Sequence, residues 1–449
     1  MHGELNDNSQ SGGKRREQLV LLILAAVQFT TIVDFMIVMP LGPQLMRTLH
    51  ITPAQFGLIV SSYTFAAGAA GLVASSIVDR FARRTAFLVL YVGFLLGTLA
   101  CGLAPTYHML VLARVATGAC GGILGGLAMA IIGDVFPEER RGRATGSLMT
   151  GFALASVAGV PAGLYFGTNF GWHVPFIVLA IGGVAVLFLV PFALPKLDEH
   201  VGRSHEHPLR SLVETFSEPN HLNAFALIVT LMIGSFTVFP YLSAYLVSNV
   251  GMTEDQLPLI YIAGGVLTLF ASPVVGRLAD RHGKLRVYRM VVPLSALMLL
   301  TMTHLPRVPV ALAVLLFGAM MVANVGRMIP AMAMVTSSVE PRRRGGFLSA
   351  NSSVQHMASG LGAYLGGAIV TQSADGRIGH FGTVGWIAAF ATLCSLWLAG
   401  RVRLVDERGP SAEAISLAAA AEAEVDAGEP ILATCSGTSH AAVDLKSSG

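Results

Sequence analysis

The sequence predicts an all-α membrane protein of twelve transmembrane helices, arranged as two pseudo-symmetric six-helix halves. Three observations predict it: a composition too apolar for a soluble chain, apolar runs of spanning length between short charged loops, and a pair of loops that recurs in the second half. Of 449 residues, 53% are hydrophobic and only 12% are charged, whereas a soluble domain carries about a quarter charged residues. The mean hydropathy is +0.66. The 49 glycines and 21 prolines suit membrane helices, whose neighbours satisfy freed backbone groups.

A span needs roughly 20 mostly apolar residues. Stretches that qualify lie at about 18–40, 54–77, 85–104, 107–133, 143–167 and 174–194, then at 222–248, 256–278, 287–304, 308–337, 346–371 and 383–400. The first follows a polar tail, 1–17, with Lys14, Arg15 and Arg16; it is too long for a signal-peptide core and reads as a retained helix. The two groups of six, 18–194 and 222–404, are joined by a polar linker, 195–221, with Lys196, Asp198, Glu199, Arg203, Glu206 and Arg210. The tail 405–449 is rich in Ala, Glu, Ser and Gly and is expected to be disordered. Cys101, Cys120, Cys394 and Cys435 have no metal-binding spacing, and the first three read as small packing residues.

Orientation follows from Lys and Arg placement. With the N-terminus cytoplasmic, the outer loops hold only Arg47, Arg307 and Arg377, and Arg114 and Arg327 lie within spans. All other basic residues fall inside, which predicts an even number of spans and cytoplasmic ends. The internal repeat supports the same count. Asp79-Arg80 aligns on Asp280-Arg281, and Pro137 to Gly142 on Pro341 to Gly346, at nearly the same offset. Six-helix halves in parallel repeat place a pathway between them, near the bilayer midplane.

These residues resemble the major facilitator superfamily, and within it the drug and sugar efflux branch typified by arabinose-efflux permeases. Ser75 to Arg84 is similar to the family signature G-x-L-x-D-R-x-G-R-[RK], with Ser75 and Ala82 where the family prefers glycine; the second copy has Gly276 and Gly283. Arg114 to Gly118 is similar to the family's R-x-x-x-G motif, and Gly151 to Gly163 to its antiporter motif, with Val160 interrupting the usual Gly-Pro pair. Asp34, Pro40 to Pro43 and Gly326 to Pro330 resemble arabinose-efflux permeases. The resemblance implies a central cavity lined by the first, fourth, seventh and tenth helices and rocker-type alternating access. It also assigns Asp79, Arg80 and Arg83 to the conformational cycle.

Asp34 is the sharpest single signal, about seven residues from the outer end of the first span, or roughly 10 Å deep. A carboxylate there is costly and faces water or a partner, and desolvation favours the neutral acid, as a proton carrier requires. The alternative is a structural carboxylate paired permanently with arginine. Arg114 lies at matching depth in the fourth span and is expected to meet Asp34; the alternative is that it only bonds backbone carbonyls. Arg327 and His356 form a second candidate pair, with Asn324, Asn351 and Gln355 nearby, either for a polar or anionic substrate or as a satisfied polar network. Arg83 is expected to reach Asp134 in a charge clamp near Asp79 and Arg80, with Asp280 and Arg281 as its second copy; the alternative is topology alone. Phe236, Phe239, Tyr241 and Tyr245 read as core, with two or three lining a substrate site as the alternative. The glycine run 118–126 lacks a phosphate-loop Lys and serves close helix approach.

The reading is a proton-driven exporter of a small organic molecule, a drug-like compound, sugar or metabolite, across the cytoplasmic membrane. Its partners are that substrate, protons and membrane lipid. No cofactor, metal, nucleic acid or enzyme activity is expected, and the chain is read as a monomer. Metabolite uptake or facilitated diffusion is the transport alternative, and a transport-inactive membrane sensor is the alternative of another class.

Overall fold

The computed structural model describes residues 2–77, 81–194, 208–340 and 343–405. Asp79 and Arg80 of the first charged loop, 195–207 of the linker and 406–449 of the tail lie outside the described residues.

The first half holds α1 (His2–Ile37), the short α2 (Gly42–Thr48), α3 (Pro53–Ile77), α4 (Arg83–Gly102) and α5 (Tyr107–Val135). Its fifth span is α6 (Glu138–Leu154) and α7 (Val160–Phe170) joined by a π-helical turn, and its sixth is α8 (Val174–Ala193). After α9 (Pro208–Ser217), the second half runs through α10 (Pro219–Phe236) and α11 (Phe239–Tyr245), with a π turn at Leu246–Val250. It continues with α12 (Leu257–His282), α13 (Lys284–Thr303), α14 (Val310–Thr336) and α15 (Arg344–Ile369). A two-stranded ribbon, β1 (Thr371–Gln372) and β2 (Ile378–Gly379), precedes α16 (Phe381–Ala399).

Local chemistry sets the boundaries. Proline stands in the first turn of α2, α8, α10 and α12, where its missing N–H costs nothing. The Thr106 hydroxyl accepts from the Met109 N–H and caps α5. Among the described residues, eleven helical spans are long and apolar enough to cross a bilayer. The Gly-, Ser- and Asn-rich α15 is long enough and completes the twelve-helix, two-halved fold.

We call the end carrying Glu17, Arg83, Asp134 and Lys284 the basic face, and the end carrying α2 the far face. The repeat recurs at atomic detail on the basic face. Arg141 donates from Nε to the Phe136 carbonyl and from Nη2 to that of Gly133, closing the end of α5. In the second half Arg344, one place short of the aligned position, likewise donates from Nε to the carbonyl five residues back, that of Val339.

The halves meet where α3 lies along α15, where α2 meets α11, and where α12 packs on the first π turn and α7. A Cβ on Gly57 would stand 2.9 Å from the Ala363 carbonyl oxygen, and one on Gly71 2.7 Å from Ser353 Oγ, so α3 and α15 are in close contact over much of their length. A Cβ on Gly265 would meet Val157 Cα at 3.1 Å. Further toward the basic face, Cβ atoms on Gly276 of α12 and on Gly142 and Gly146 of α6 would meet nothing within 4 Å. Along α12 the contact with the first half is thus close at Gly265 and open at Gly276.

Candidate functional site

Asp34 and Arg114 meet. Arg114 Nη1 donates to Asp34 Oδ2 at 2.7 Å and also to the Asp34 carbonyl at 3.2 Å, so both anticipated partners of this arginine, carboxylate and backbone, are present. Both side chains are wholly buried. Asp34 stands one turn before the end of α1, and the chain goes on through a buried turn, Val38 to Leu41, into α2. Arg114 is reached seven residues into α5, about 10 Å along its axis.

The pair is matched in charge and under-satisfied in hydrogen bonds. Asp34 Oδ1, Arg114 Nε and Arg114 Nη2 are buried without a partner, and the Thr98 hydroxyl of α4 lies beside the same carboxylate. Each such group costs about 1–3 kcal/mol. The guanidinium is also held by Tyr63 of α3, whose ring centre lies 4.3 Å from Arg114 Cζ, a cation–π contact. Two glycines make this possible. A Cβ on Gly118 would fall 2.2 Å from the Tyr63 carbonyl oxygen, and one on Gly122 2.5 Å from that of Ala67. Glycines four apart thus let α3 and α5 touch backbone to backbone.

Tyr63 was invisible to the charge-based reading, although the polar run Ser61-Ser62-Tyr63-Thr64 inside an apolar span marks it. Its ring stacks on Phe35 at 5.2 Å, and Phe35 stacks on Phe236 of α10 at 5.9 Å.

Arg327 does not pair with His356. Its Nε and Nη2 donate to Asn324 Oδ1, Nη1 to the Thr392 hydroxyl at 2.6 Å, and Nη2 to the Ser235 hydroxyl at 2.8 Å. The guanidinium thus ties α14 to α10 and α16 inside the second half. His356 is one helix away, on α15, and outside this network. The reason is local supply: Asn324 sits one turn from Arg327 on the same helix, and the two hydroxyls satisfy the remaining edge. Arg327 is charge-uncompensated yet well bonded, the reverse of Arg114.

On the basic face Arg83 Nε lies 3.2 Å from Asp134 Oδ2, half-sheltered from solvent. The second copy differs. Lys284 Nζ donates to the Ser337 hydroxyl at 2.7 Å, a neutral counterpart of the Arg83–Asp134 bridge, and Asp280 and Arg281 are exposed. Ala82 takes φ −54°, whereas Gly283 takes φ +93°, which a side chain there would oppose. At the far face Arg47 donates to both oxygens of Glu254, a bridge between the halves. The π turn at Ala155–Gly159 falls inside the antiporter-like motif, against α12. Among the described residues no cluster of His, Cys, Asp and Glu could hold a metal ion.

Two membrane-embedded halves in repeat, with a buried ion pair beside their seam, define a membrane transporter. The profile of the Major Facilitator Superfamily matches residues 24–237 and 224–432. The chain belongs to that superfamily, a family of transporters. It is 26% identical over 393 residues to an uncharacterized MFS-type transporter, YtbD, of Bacillus subtilis (strain 168), covering 86% of this chain and 96% of the relative. Among solved structures it is similar to a D-xylose-proton symporter, with TM-score 0.69, 16% identity and coverage of 86% of this chain and 97% of that one. It is also similar to an inward-facing, unoccupied bacterial homolog of the human lysosomal transporter Spinster, with TM-score 0.63, 15% identity and coverage of 86% and 95%. At these identities the structures speak for the fold.

Proposed function

We propose that this chain is a proton-coupled exporter of a small organic molecule, working by alternating access across the cytoplasmic membrane with its basic face inside. The observation that carries the reading is the under-satisfied Asp34–Arg114 pair. A purely structural buried pair gains from full hydrogen bonding; one with three unpaired atoms is poised to change partners, and unsatisfied buried groups gather at working sites. Asp34 is the proton carrier. Arg114 holds it ionised in one state and releases it when it is protonated in the other. Arg83 and Asp134, with Asp79 and Arg80, act as a clamp on the basic face; Asp280 and Arg281 are the looser second copy. Arg327 positions the second-half helices, and His356 is left for substrate contact. The halves are 18–194 and 222–404, joined by 195–221 and flanked by tails 1–17 and 405–449, and the unit is a monomer in lipid.

The test is transport in proteoliposomes under an imposed pH gradient, with a panel of sugars and lipophilic cations. Accumulation should follow the gradient in the native protein. In Asp34→Asn it should fall to downhill movement only, with protein still inserted. Gradient-driven transport at the native rate by Asp34→Asn would sink the proposal.

A further inference from the structure

Phe236, Phe35, Tyr63, Arg114 and Asp34 form an unbroken line of side-chain contacts. Phe236 is its only member from the second half. Asp34 and Phe35 are consecutive on α1, about 100° apart around the helix, so one residue faces α5 and the next faces α3 and the seam. The line therefore starts at the interface between halves and ends on the buried carboxylate. Phe35 and Phe236 are each only partly buried, whereas Asp34 and Arg114 are sealed.

We propose that Phe35 is a positioning residue that couples the separation of the two halves to the protonation of Asp34; this rests on Asp34 being the proton site. With the halves together, Phe236 presses Phe35 onto Tyr63 and keeps that ring over the Arg114 guanidinium, favouring the closed ion pair. When the second half moves away, Phe35 loses its partner, Tyr63 tilts off the guanidinium and the neutral acid is favoured. The loss of one aromatic contact and the weakening of one cation–π contact shift that balance roughly 3- to 30-fold. The titratable and charged groups facing this line are Arg114 and Cys120 of α5, Tyr63 of α3 and Cys101 of α4. From α10 it is met by the uncharged Phe236.

The experiment measures two titrations on the full chain in lipid nanodiscs. One is the distance between spin labels placed by Gly146→Cys and Gly276→Cys, sites where a side chain meets nothing within 4 Å, with the four native cysteines replaced. The other is the carboxylic-acid band of Asp34 by difference infrared spectroscopy, identified by its loss in Asp34→Asn. In the native background the two should share a midpoint. In Phe35→Leu and Phe236→Leu the carboxyl should still titrate while the distance ceases to follow it, and Phe35→Trp should restore the link. Tyr63→Phe, which keeps the ring, should behave as native. A distance shift lost in Asp34→Asn but retained in Phe35→Leu overturns the inference alone. A shift that persists in Asp34→Asn removes the proton site and the inference with it.

Discussion

Replacing Arg114 by leucine should produce a stability loss that depends on pH in a way its geometry sets. Asp34 and Arg114 are both wholly buried at 2.7 Å, and removing one partner of such a pair costs about 3–5 kcal/mol because the other charge is stranded. The stranded carboxylate has one escape, which is to take up a proton. Holding an ordinary carboxyl neutral at pH 7 costs about 4 kcal/mol, roughly 1.4 for each of three pH units. The excess loss of Arg114→Leu over a variant with neither charge is thus capped near 4 kcal/mol at pH 7. The sign follows from proton binding. The folded variant then holds a proton that the unfolded chain at neutral pH does not, so its stability rises as pH falls. About 3 kcal/mol should return by pH 5. The double variant Asp34→Asn, Arg114→Leu carries no buried charge and should lose only about 1–2 kcal/mol, with little pH dependence. The missing cation–π contact to Tyr63 is common to both variants and cancels. Reversible unfolding by SDS titration in mixed micelles, at pH 5 and pH 7, reads all four numbers. Equal losses for single and double variants, or a single-variant loss unchanged between the two pH values, would refute the reasoning.

Gly118→Ala should cost about 2–3 kcal/mol, because its Cβ would fall 2.2 Å from the Tyr63 carbonyl oxygen; backbone on both sides leaves nothing flexible to yield. Gly126→Ala, with nothing within 4 Å, should be neutral or stabilising by up to about 1 kcal/mol, and the same titrations compare the two. Arg327→Gln should lose about 1–3 kcal/mol while leaving pH-gradient dependence of transport intact. Arg327→Lys should rescue little, since an ammonium cannot span Asn324, Ser235 and Thr392 at once; thermal unfolding and proteoliposome transport separate the two effects.

The twelve spans and the meeting of Asp34 with Arg114 were legible because both rest on one-dimensional quantities, apolar run length and depth along a helix axis. What sequence reasoning missed needs a third dimension or a local exception. The stretch 41–53, between the first two spans, is punctuated by Pro40, Gly42 and Pro43, yet it holds α2, with Pro43 in its first turn as prolines are at helix starts. The linker's charged residues mask an apolar stripe, Leu209, Leu212, Val213 and Phe216, that recurs at helical spacing within α9. The partners of Arg327 were hidden because Ser235 and Thr392 lie far off in sequence, and such hydroxyls in spans usually bond their own helix. Tyr63 and Phe35 carry no charge, so a search led by ionisable groups passes over them. The two π turns leave no mark in hydropathy at all.

The start of α4 against the end of α5, and its repeat at α13 and α14, form two corners built to one plan with different fasteners. Opposite charges, Arg83 and Asp134, bind the first, and an ordinary backbone at Ala82 enters it. A single neutral acceptor, the Ser337 hydroxyl, holds the Lys284 end of the second, and a left-handed glycine swings the chain into it. Joints of unequal stiffness do not share a deformation equally. A load that reaches both corners alike would deform the second, held by one neutral bond, more than the first.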